Sequence, residues 1–220
     1  MSLEDTAFEF KGQHWRLSAG RAIYWEEEKA LIVADLHVGK SAHFRKAGIA
    51  VPANIVQEDL YRLQQLITKY HPEKVLIVGD MFHSSANNEV QYFKIWRRQF
   101  AHIAFELIEG NHDILEPALY EDLQINLHQV LSLRNFYFVH DREDKPSVLE
   151  GHYLISGHIH PGIRMVGAGR QSLRLPCFYF GIEGAVLPAF SGFTGLYSLH
   201  PEADSAVFVI AEKKIFRIFQ

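Results

Sequence analysis

The chain contains short groups of aspartate, histidine and asparagine, and each group follows an apolar run. Histidine is abundant overall, with 13 in 220 residues. Carboxylate, imidazole and amide groups together form a donor set that suits Mn, Fe or Zn ions and needs no sulfur. The sequence therefore predicts a metal site, and we expect its ligands to be Asp35, His37, Asp80, Asn111, His140, His158 and His160.

The number of candidate ligands indicates how many ions they hold. Seven exceed the four that a tetrahedral zinc ion takes, and they match two ions that share a carboxylate. Two ions roughly 3.5–4 Å apart can hold the attacking and leaving oxygen atoms of an in-line displacement at phosphorus. We therefore predict a cofactor of two divalent ions, Mn²⁺ first and Fe or Zn next, and hydrolysis of a phosphate ester.

The spacing within each group predicts how the side chains are presented. Asp35 and His37 are separated by one residue, as are His158 and His160. Because side chains alternate along a strand, each pair would lie on one face of an extended segment. A glycine precedes several of the ligands and would allow a sharp turn or a close approach of the backbone; these glycines are Gly79, Gly110 and Gly157.

Buried strands and amphipathic helices must position these groups. Apolar runs predict strands over Ala30–Ala34, Lys74–Val78 and Ile103–Ile108, and helical periodicity predicts helices over Asn54–Tyr70 and Glu89–Ala101. Alternating strands and helices imply that these strands are parallel neighbours. Ligands bind outside the carboxyl ends of such strands, which is where the polar groups stand.

The second half of the chain is mostly β-structure. Strands are predicted over Asn135–Val139 and His152–Ser156. Further β-rich segments are predicted over Gly162–Val166, Ser172–Phe180, Gly184–Pro188 and Ala206–Ile218, and a hairpin is predicted near the start over 13–26. No linker or break in composition divides residues 1–220, so we predict one domain of the α/β class. Two packed mixed β-sheets flanked by helices would satisfy the pattern.

Composition limits the function. The net charge of −4 disfavours autonomous non-specific DNA binding, although a local basic groove is compatible with it. Cys177 is the only cysteine, which excludes an internal disulfide and a thiolate metal cage. Neither a secretory signal nor an apolar run of about 18–20 residues is present, and we expect a cytoplasmic protein.

The order of the groups resembles that of the calcineurin-like metallophosphoesterase superfamily. The superfamily pattern is D-x-H, G-D, G-N-H-[DE], H and G-H-x-H, and this chain carries all five in that order; the matching segments are Asp35–His37, Gly79–Asp80, Gly110–Asp113, His140 and Gly157–His160. Asp141 departs from the glycine that often follows the fourth group. The resemblance implies a four-layer α/β/β/α sandwich.

The resemblance also implies individual roles. Asp35, His37 and His160 would hold the first ion. The second ion would be held by Asn111, His140 and His158, and Asp80 would bridge the two. His112 would act as general acid or would stabilise the transition state, and Asp113 would orient it and raise its pKa.

A narrower resemblance extends over most of the chain. Four further segments are similar to the bacterial DNA-ligase-associated metallophosphoesterases; these segments are Ala34–Lys40, Gly79–His83, Arg174–Phe178 and Leu187–Gly195. That family is described as containing phosphodiesterases or endonucleases. The resemblance implies DNA as substrate, a role in DNA repair, and a DNA ligase, a helicase and an exonuclease as functional partners.

Substrate contacts and the substrate itself stay open. Lys40, Arg45 and Lys46 follow the first group and either contact a phosphate or form a solvated face, and His83 is either a loop residue or a phosphate contact. Further arginines that would extend a basic groove are Arg164, Arg170 and Arg174. The alternative functions are a phosphoesterase for small nucleotides or other small esters, and a non-catalytic scaffold for repair partners.

Overall fold

A computed structural model describes residues 3–46, 48, 54–83, 88–145, 151–167 and 171–218. Two mixed β-sheets pack face to face, and α-helices cover the outer face of the first sheet. This arrangement agrees with the predicted fold class. Of the residues predicted to contact substrate, Arg170 lies outside the described residues, as does the side chain of Lys46.

The first sheet has seven strands in the order of the sequence. They are β1 (Asp5–Phe10), β2 (Gln13–Ser18), β3 (Ala22–Trp25), β4 (Ala30–Ala34), β5 (Lys74–Val78), β6 (Ala104–Ile108) and β7 (Ile125–His128). The strands from β1 to β4 are antiparallel, and those from β4 to β7 are parallel. The sheet is therefore mixed, with the predicted parallel strands at its centre.

The α-helices of the described residues are α1 (Lys40–Lys46), α2 (Ile55–Tyr70), α3 (Asn88–Arg98) and α4 (Pro117–Asp122). Their buried side chains form one apolar cluster with the first sheet. From α2 the cluster takes Leu60 and Leu63, and from α3 it takes Phe93 and Trp96. No helix in the described part of the chain is long and apolar enough to cross a membrane.

The second sheet contains nine strands. They are β8 (Leu131–Leu133), β9 (Phe136–Phe138), β10 (Tyr153–Ser156), β11 (Pro161–Val166), β12 (Ser172–Phe180), β13 (Gly184–Val186), β14 (Tyr197–Ser198), β15 (Ala206–Ala211) and β16 (Lys214–Ile218). The order is β14-β11-β12-β13-β10-β9-β8, and β15 pairs with both β12 and β16. The β-rich segment predicted over Ala206–Ile218 is confirmed, and a turn at Glu212, with φ of 54°, divides it into two strands.

Aromatic residues fill the space between the sheets. Trp15 and Trp25 from the first sheet contact Phe136 of the second, with ring centroids 5.1 and 5.2 Å apart. The opposite face of the second sheet carries a smaller apolar cluster around Cys177 and Val209. The apolar faces of the described α-helices therefore pack against the first sheet, and the cluster on the outer face of the second sheet contains no residue from them.

The strand ends meet at one edge of the sandwich. In the first sheet, Ala34 is in register with Val78, and Val78 with Ile108. In the second sheet, β9 and β10 run parallel and end at His140 and Gly157, which are joined by a backbone hydrogen bond of 3.1 Å. Both sheets therefore deliver their polar groups to the same place.

Candidate metal centre

Three side chains from the two sheets form a first cluster. Asp35 and His37 follow β4, and His160 precedes β11. The two imidazoles approach with their Nε2 atoms 3.2 Å apart, and His160 Nε2 lies 3.7 Å from Asp35 Oδ1. These donor atoms are close enough together to share one ion.

A second cluster adjoins the first and consists of Asp35, Asp80 and His140. His140 Nε2 lies 3.4 Å from Asp80 Oδ1, and His140 Nδ1 lies 3.9 Å from Asp35 Oδ1. Asp80 also approaches the first cluster, with Oδ2 3.9 Å from His37 Nδ1. Both carboxylates therefore lie between the clusters, whereas the family pattern implied a bridging role for Asp80 alone.

The remaining two predicted ligands, His158 and Asn111, lie at the margin of the second cluster. His158 Nδ1 is 3.0 Å from His140 Nε2, and its Nε2 is 3.4 Å from Asp141 Oδ2. Asn111 is exposed and forms no hydrogen bond with the other predicted ligands among the described residues. It follows Gly110, whose backbone packs directly against Asp80.

The burial of the two carboxylates, Asp35 and Asp80, indicates that cations belong here. Asp35 is 0% exposed and Asp80 is 3% exposed. Among the described residues, the only basic side chains within ion-pair distance of either are histidines. Buried carboxylates without compensating charge are strongly unfavourable. Divalent ions would supply that charge, so the donor set fits a metal centre.

The imidazole of His37 is held in the form that binds metals. Burial lowers its pKa to about 2, with a smaller contribution from the positive charge of Lys40. Within the described parts of the chain, the buried Nδ1 atoms of His37 and His140 have no hydrogen-bond partner. A neutral imidazole with a free ring nitrogen is the state that ligates an ion.

The backbone at the ligands adopts an unusual conformation. Five of the predicted ligands have positive φ angles, and these are Asp35 (53°), His37 (52°), Asp80 (46°), His158 (68°) and His160 (51°). The interpretation of 35–37 and 158–160 as extended segments is therefore wrong, because left-handed residues turn the chain after each strand. Such strained residues cluster at functional sites, where the surrounding structure holds them.

The glycines before the ligands allow close packing, as predicted. A Cβ atom on Gly79, where φ is +75°, would lie 1.8 Å from His140 Nδ1. A Cβ atom on Gly157 would lie 2.8 Å from Asp35 Oδ2. Each glycine thus gives a buried ligand the space that any other residue would occupy.

Asp113 takes a different position from the one expected. Its carboxylate accepts backbone N–H bonds from Met81, Phe82 and Gly110, at 3.3, 2.9 and 2.9 Å. Burial raises its pKa to about 7 against the effect of these bonds. Within the described residues it makes no hydrogen bond to the His112 imidazole, so it orders the turn after Asp80 and does not orient His112.

Two further histidines lie beside the first cluster. The rings of His83 and His112 have centroids 4.4 Å apart, and they lie 5.4 and 6.1 Å from that of His37. His112 is exposed, and its backbone N–H donates to Asp80 Oδ1 at 3.1 Å. The exposed imidazole of His112 is therefore next to the candidate metal positions and accessible to a substrate.

Lys40 and Arg45, which were predicted to contact substrate, have different surroundings. Lys40 is half-buried, and burial lowers its pKa while the negative charges of Asp35 and Asp80 raise it. Arg45 instead pairs with Glu89 of α3 at 2.6 Å, and the same carboxylate accepts from Ser41 Oγ at 2.5 Å. Lys40 thus lies near the carboxylates, and Arg45 connects α1 to α3.

The sequence interpretation missed a group that supports the site from behind. The backbone N–H groups of Phe190 and Ser191 donate to the carbonyls of Ala34 and Asp35, at 2.7 and 3.2 Å. Three charged side chains hold this supporting segment, residues 189–192. Arg21 donates to the carbonyls of 189 and 191, Arg62 donates to that of 190, and Asp59 accepts from the amide of 192.

One sequence feature could have identified this group. Asp59 lies between Val56 and Leu63 on the apolar stripe of α2, where a buried carboxylate needs a partner. Its partner is Arg62, one turn further along the helix, at 2.8 Å. A charged pair on the buried face of an amphipathic helix is thus a sign of a packed polar contact.

Comparison with known proteins identifies relatives of this arrangement. Residues 29–160 match the family described as calcineurin-like phosphoesterase, which is more than half of the chain. The crystal structure of Pseudomonas putida nuclease MPE is similar with a TM-score of 0.82 and 30% sequence identity. That similarity covers 98% of this chain and 100% of the other.

Two other results are less informative. Yfce, a phosphoesterase from E. coli, has 13% identity and a TM-score of 0.46, over 86% of this chain and 97% of that one. This similarity is too low to support an argument about the site. A search of curated protein sequences finds no match.

Proposed function

Because this chain belongs to the calcineurin-like phosphoesterase family and is a metal-dependent phosphoesterase, we propose that it hydrolyses phosphodiester bonds of nucleic acid with two divalent ions. The observation that carries the two-ion proposal is the pair of adjoining clusters that share the buried carboxylate of Asp35. The similarity to a nuclease over nearly the whole chain supports nucleic acid as substrate. We expect Mn²⁺ to be the activating metal, on the basis of the mixed oxygen and nitrogen donors.

The proposed ligand assignment follows the clusters and the family pattern. Asp35, His37 and His160 would hold the first ion. Asp80 would lie between the two ions, together with Asp35. The second ion would be held by His140, by His158, whose Nδ1 lies 3.0 Å from His140 Nε2, and by Asn111, which follows Gly110 beside Asp80.

The protein's own residues would position the ester and supply a proton. Bound divalent ions polarise the phosphoryl oxygens and stabilise the charge that develops on them. Lys40 and His83, next to His37, would contact a non-bridging oxygen of the phosphate. The exposed imidazole of His112 would donate a proton to the leaving oxygen, which is the general-acid role.

The similarity to a nuclease also supports a proposal for the cellular role. A nuclease of this family would act in DNA repair in the cytoplasm, with a DNA ligase, a helicase and an exonuclease as functional partners. Hydrolysis of small phosphate esters is the competing function, and a scaffold without activity is the third. The buried, closely packed ligand atoms favour an enzyme over a scaffold.

A substrate panel tests the proposal. The purified chain, loaded with Mn²⁺, Fe²⁺ or Zn²⁺, would be given bis-p-nitrophenyl phosphate, p-nitrophenyl phosphate, a cyclic nucleotide, and single- and double-stranded DNA. We expect hydrolysis of the diester and of DNA, with up to two ions per chain by elemental analysis. Turnover of the monoester or the cyclic nucleotide without DNA cleavage would support the small-ester function instead.

A His112→Ala variant tests the catalytic assignment in the same panel. Loss of a general acid lowers turnover by on the order of 10²–10⁴. The loss should be greater for DNA, whose alkoxide leaving group needs a proton, than for the nitrophenyl diester, whose leaving group does not. Metal content should stay at the wild-type value, since His112 is not a proposed ligand.

His102→Ala is the matched control, because His102 is an exposed histidine outside the clusters. It should leave turnover of both substrates unchanged. Equal losses for DNA and the nitrophenyl diester in His112→Ala would contradict the general-acid role. Undiminished turnover of both would remove His112 from the mechanism altogether.

A further inference from the structure

A basic groove lies on the second sheet, away from the two clusters. It encloses about 740 Å³ and is lined by residues of β11, β12, β14 and the segments that follow β14 and end β16. Arg164, Arg174 and His200 supply its basic side chains, and Ser172 and Ser198 supply hydroxyl groups. The described lining contains no carboxylate, although the chain as a whole carries a net charge of −4.

The two arginines face each other. In the antiparallel register of β11 and β12, Arg164 is directly opposite Arg174, and both are exposed. Like charges in that position destabilise a sheet. Among the described residues, neither arginine forms an ion pair with a carboxylate, and Arg174 donates only to the carbonyl of Leu196, at 2.7 Å. The pair therefore retains several unused donors suited to an anion.

The strands that carry the groove begin beside the metal centre. β11 begins at the residue after His160, and the amide of Tyr197 in β14 donates to the His160 carbonyl at 2.9 Å. Four residues of β-strand span about 13 Å, so Arg164 lies roughly that far along the strand from His160. A dinucleotide has a single phosphodiester, so it could not place a second one at the arginine pair while its own lies at the metal centre.

We propose that the Arg164–Arg174 pair binds the phosphodiester backbone of a nucleic acid strand whose scissile phosphate lies at the metal centre. A small phosphate ester held at the metals would be too short to reach the pair. The inference rests on the proposed function for the identity of the substrate, and it adds the path of the strand. It also explains how an acidic protein would hold a polyanion, since the positive charge is local.

The test uses Arg164→Gln, Arg174→Gln and the double variant in the full-length, Mn²⁺-loaded protein. The substrates would be bis-p-nitrophenyl phosphate, a dinucleotide and a single-stranded 12-mer. We expect each single substitution to raise KM for the 12-mer on the order of fivefold and to reduce the salt dependence of binding by about one phosphate contact. KM for the small diester and for the dinucleotide should not change.

Arg98→Gln is the control, because Arg98 is an exposed arginine at the end of α3, distant in sequence from the groove. It should match wild type with every substrate. A 12-mer KM and salt dependence that are unchanged in the double variant would overturn the inference. An equal rise in KM for all three substrates would also overturn it, since that result indicates damage at the metal centre.

Fluorescence anisotropy of the labelled 12-mer separates this inference from the proposed function. If wild type binds the 12-mer without cleaving it, and the double variant loses that binding, the groove inference stands and the nuclease function fails. If wild type cleaves the 12-mer and the double variant does so with unchanged KM, the function stands and the groove inference fails. Absence of binding by wild type would refute the groove inference directly.

Discussion

At the scale of single residues, the site depends on how little space separates Asp35, Asp80 and His140. Their donor atoms lie 3.4–3.9 Å apart in the absence of any arginine or lysine ion partner among the described residues. Gly79 and Gly157 permit this packing because their missing side chains leave room for His140 and Asp35. The ligands are thus preorganised by residues that do not touch a metal.

Gly79→Ala tests this dependence. The new Cβ atom would clash with the His140 ring, so we expect weaker metal binding. We also expect the free energy of unfolding to fall by more than the strain of an alanine at positive φ alone would cause. Gly12→Ala is a closely matched control, since Gly12 has φ of +73°, against +75° for Gly79, and no atom lies within 4 Å of its added Cβ. Metal titrations and thermal melts of both variants would measure the difference.

Comparing the two variants separates the effect of the clash with His140 from the effect of placing an alanine at a positive φ. Gly12→Ala should cost about 1 kcal/mol and leave metal affinity unchanged. Equal effects of the two substitutions on melting temperature, with normal metal affinity in Gly79→Ala, would show that the space beside His140 is not needed.

The sequence predicted which residues would come together at the candidate site, but it did not predict their backbone conformations. The order of the five groups predicted that Asp35, His37, Asp80, His140 and His160 would meet, and the structure brings them together. Strand alternation predicted the wrong backbone, because it assumed that the strand continues through the ligands. Left-handed residues are fixed by tertiary hydrogen bonds such as Asp35 N–H to Gly79 O, which no local pattern reveals.

At the scale of elements, a loop far along the chain supports the end of β4. Residues 189–192 hydrogen-bond to the carbonyls of Ala34 and Asp35, and the guanidinium of Arg62 both bonds the loop and stacks 4.3 Å from the Phe190 ring. α2 thus connects the loop to the strand end that carries the first ligand. The position of Asp35 depends on an element that supplies no ligand.

Arg62→Met tests this support. The substitution removes the bonds to Asp59 and Phe190, and we expect a loss of roughly 1–3 kcal/mol in the free energy of unfolding. Metal affinity should also fall, because Asp35 is less well held. Lys69→Met on the same helix removes an ion pair with the partly buried Asp5, which lies away from the metal centre, and should leave metal affinity unchanged.

Chemical denaturation and metal titration of the two variants provide the measurement. Should Arg62→Met lose stability while it binds metal as wild type does, the loop would be a structural contact without influence on the site. A purely structural role would not alter metal affinity.

Elements with a strong pattern were predicted closely, and short ones were not. β4 and β5 have the predicted bounds, and α2 begins one residue after the predicted start. α4 and β7 were missed because α4 has only six residues and a single buried side chain, Tyr120, which leaves no periodicity to detect. The position of β7 is set by its pairing with β6, and α4 packs against β7.

At the scale of the whole molecule, the ligands come from both sheets. The first sheet supplies Asp35, His37 and Asp80, and the second supplies His140 and His160. At the other end of the sandwich, Glu28 of the first sheet pairs with Arg134 of the second at 2.5 Å. Ions at the centre would therefore join two sheets that are otherwise held by the aromatic core and by such polar contacts.

Removal of the ions should loosen that end of the sandwich. Ligands present at about 100 times Kd stabilise a native protein by about 2.7 kcal/mol, so a chelator should lower the melting temperature and Mn²⁺ should restore it. Cys177 is 0% exposed, and burial raises its pKa to about 12, so it should react with a thiol reagent only after opening of the second sheet. We expect the reaction to be faster in the chelated protein.

Double substitution of Asp35 and Asp80 by asparagine serves as the control for nonspecific effects of the chelator. In that variant, neither chelator nor Mn²⁺ should change the thiol reaction rate. Equal rates with and without chelator in the wild-type protein would show that the ions do not affect opening of the second sheet around Cys177.

The left-handed backbone at Asp35 and Asp80 determines which substitution isolates the chemistry of a carboxylate. Asparagine has the same shape and adopts positive φ more readily than most residues, so it removes the charge and leaves the chain undisturbed. Alanine removes the charge and also bears a conformational cost of about 1–2 kcal/mol. An alanine scan would therefore overstate what these oxygen atoms contribute, and asparagine gives the interpretable experiment.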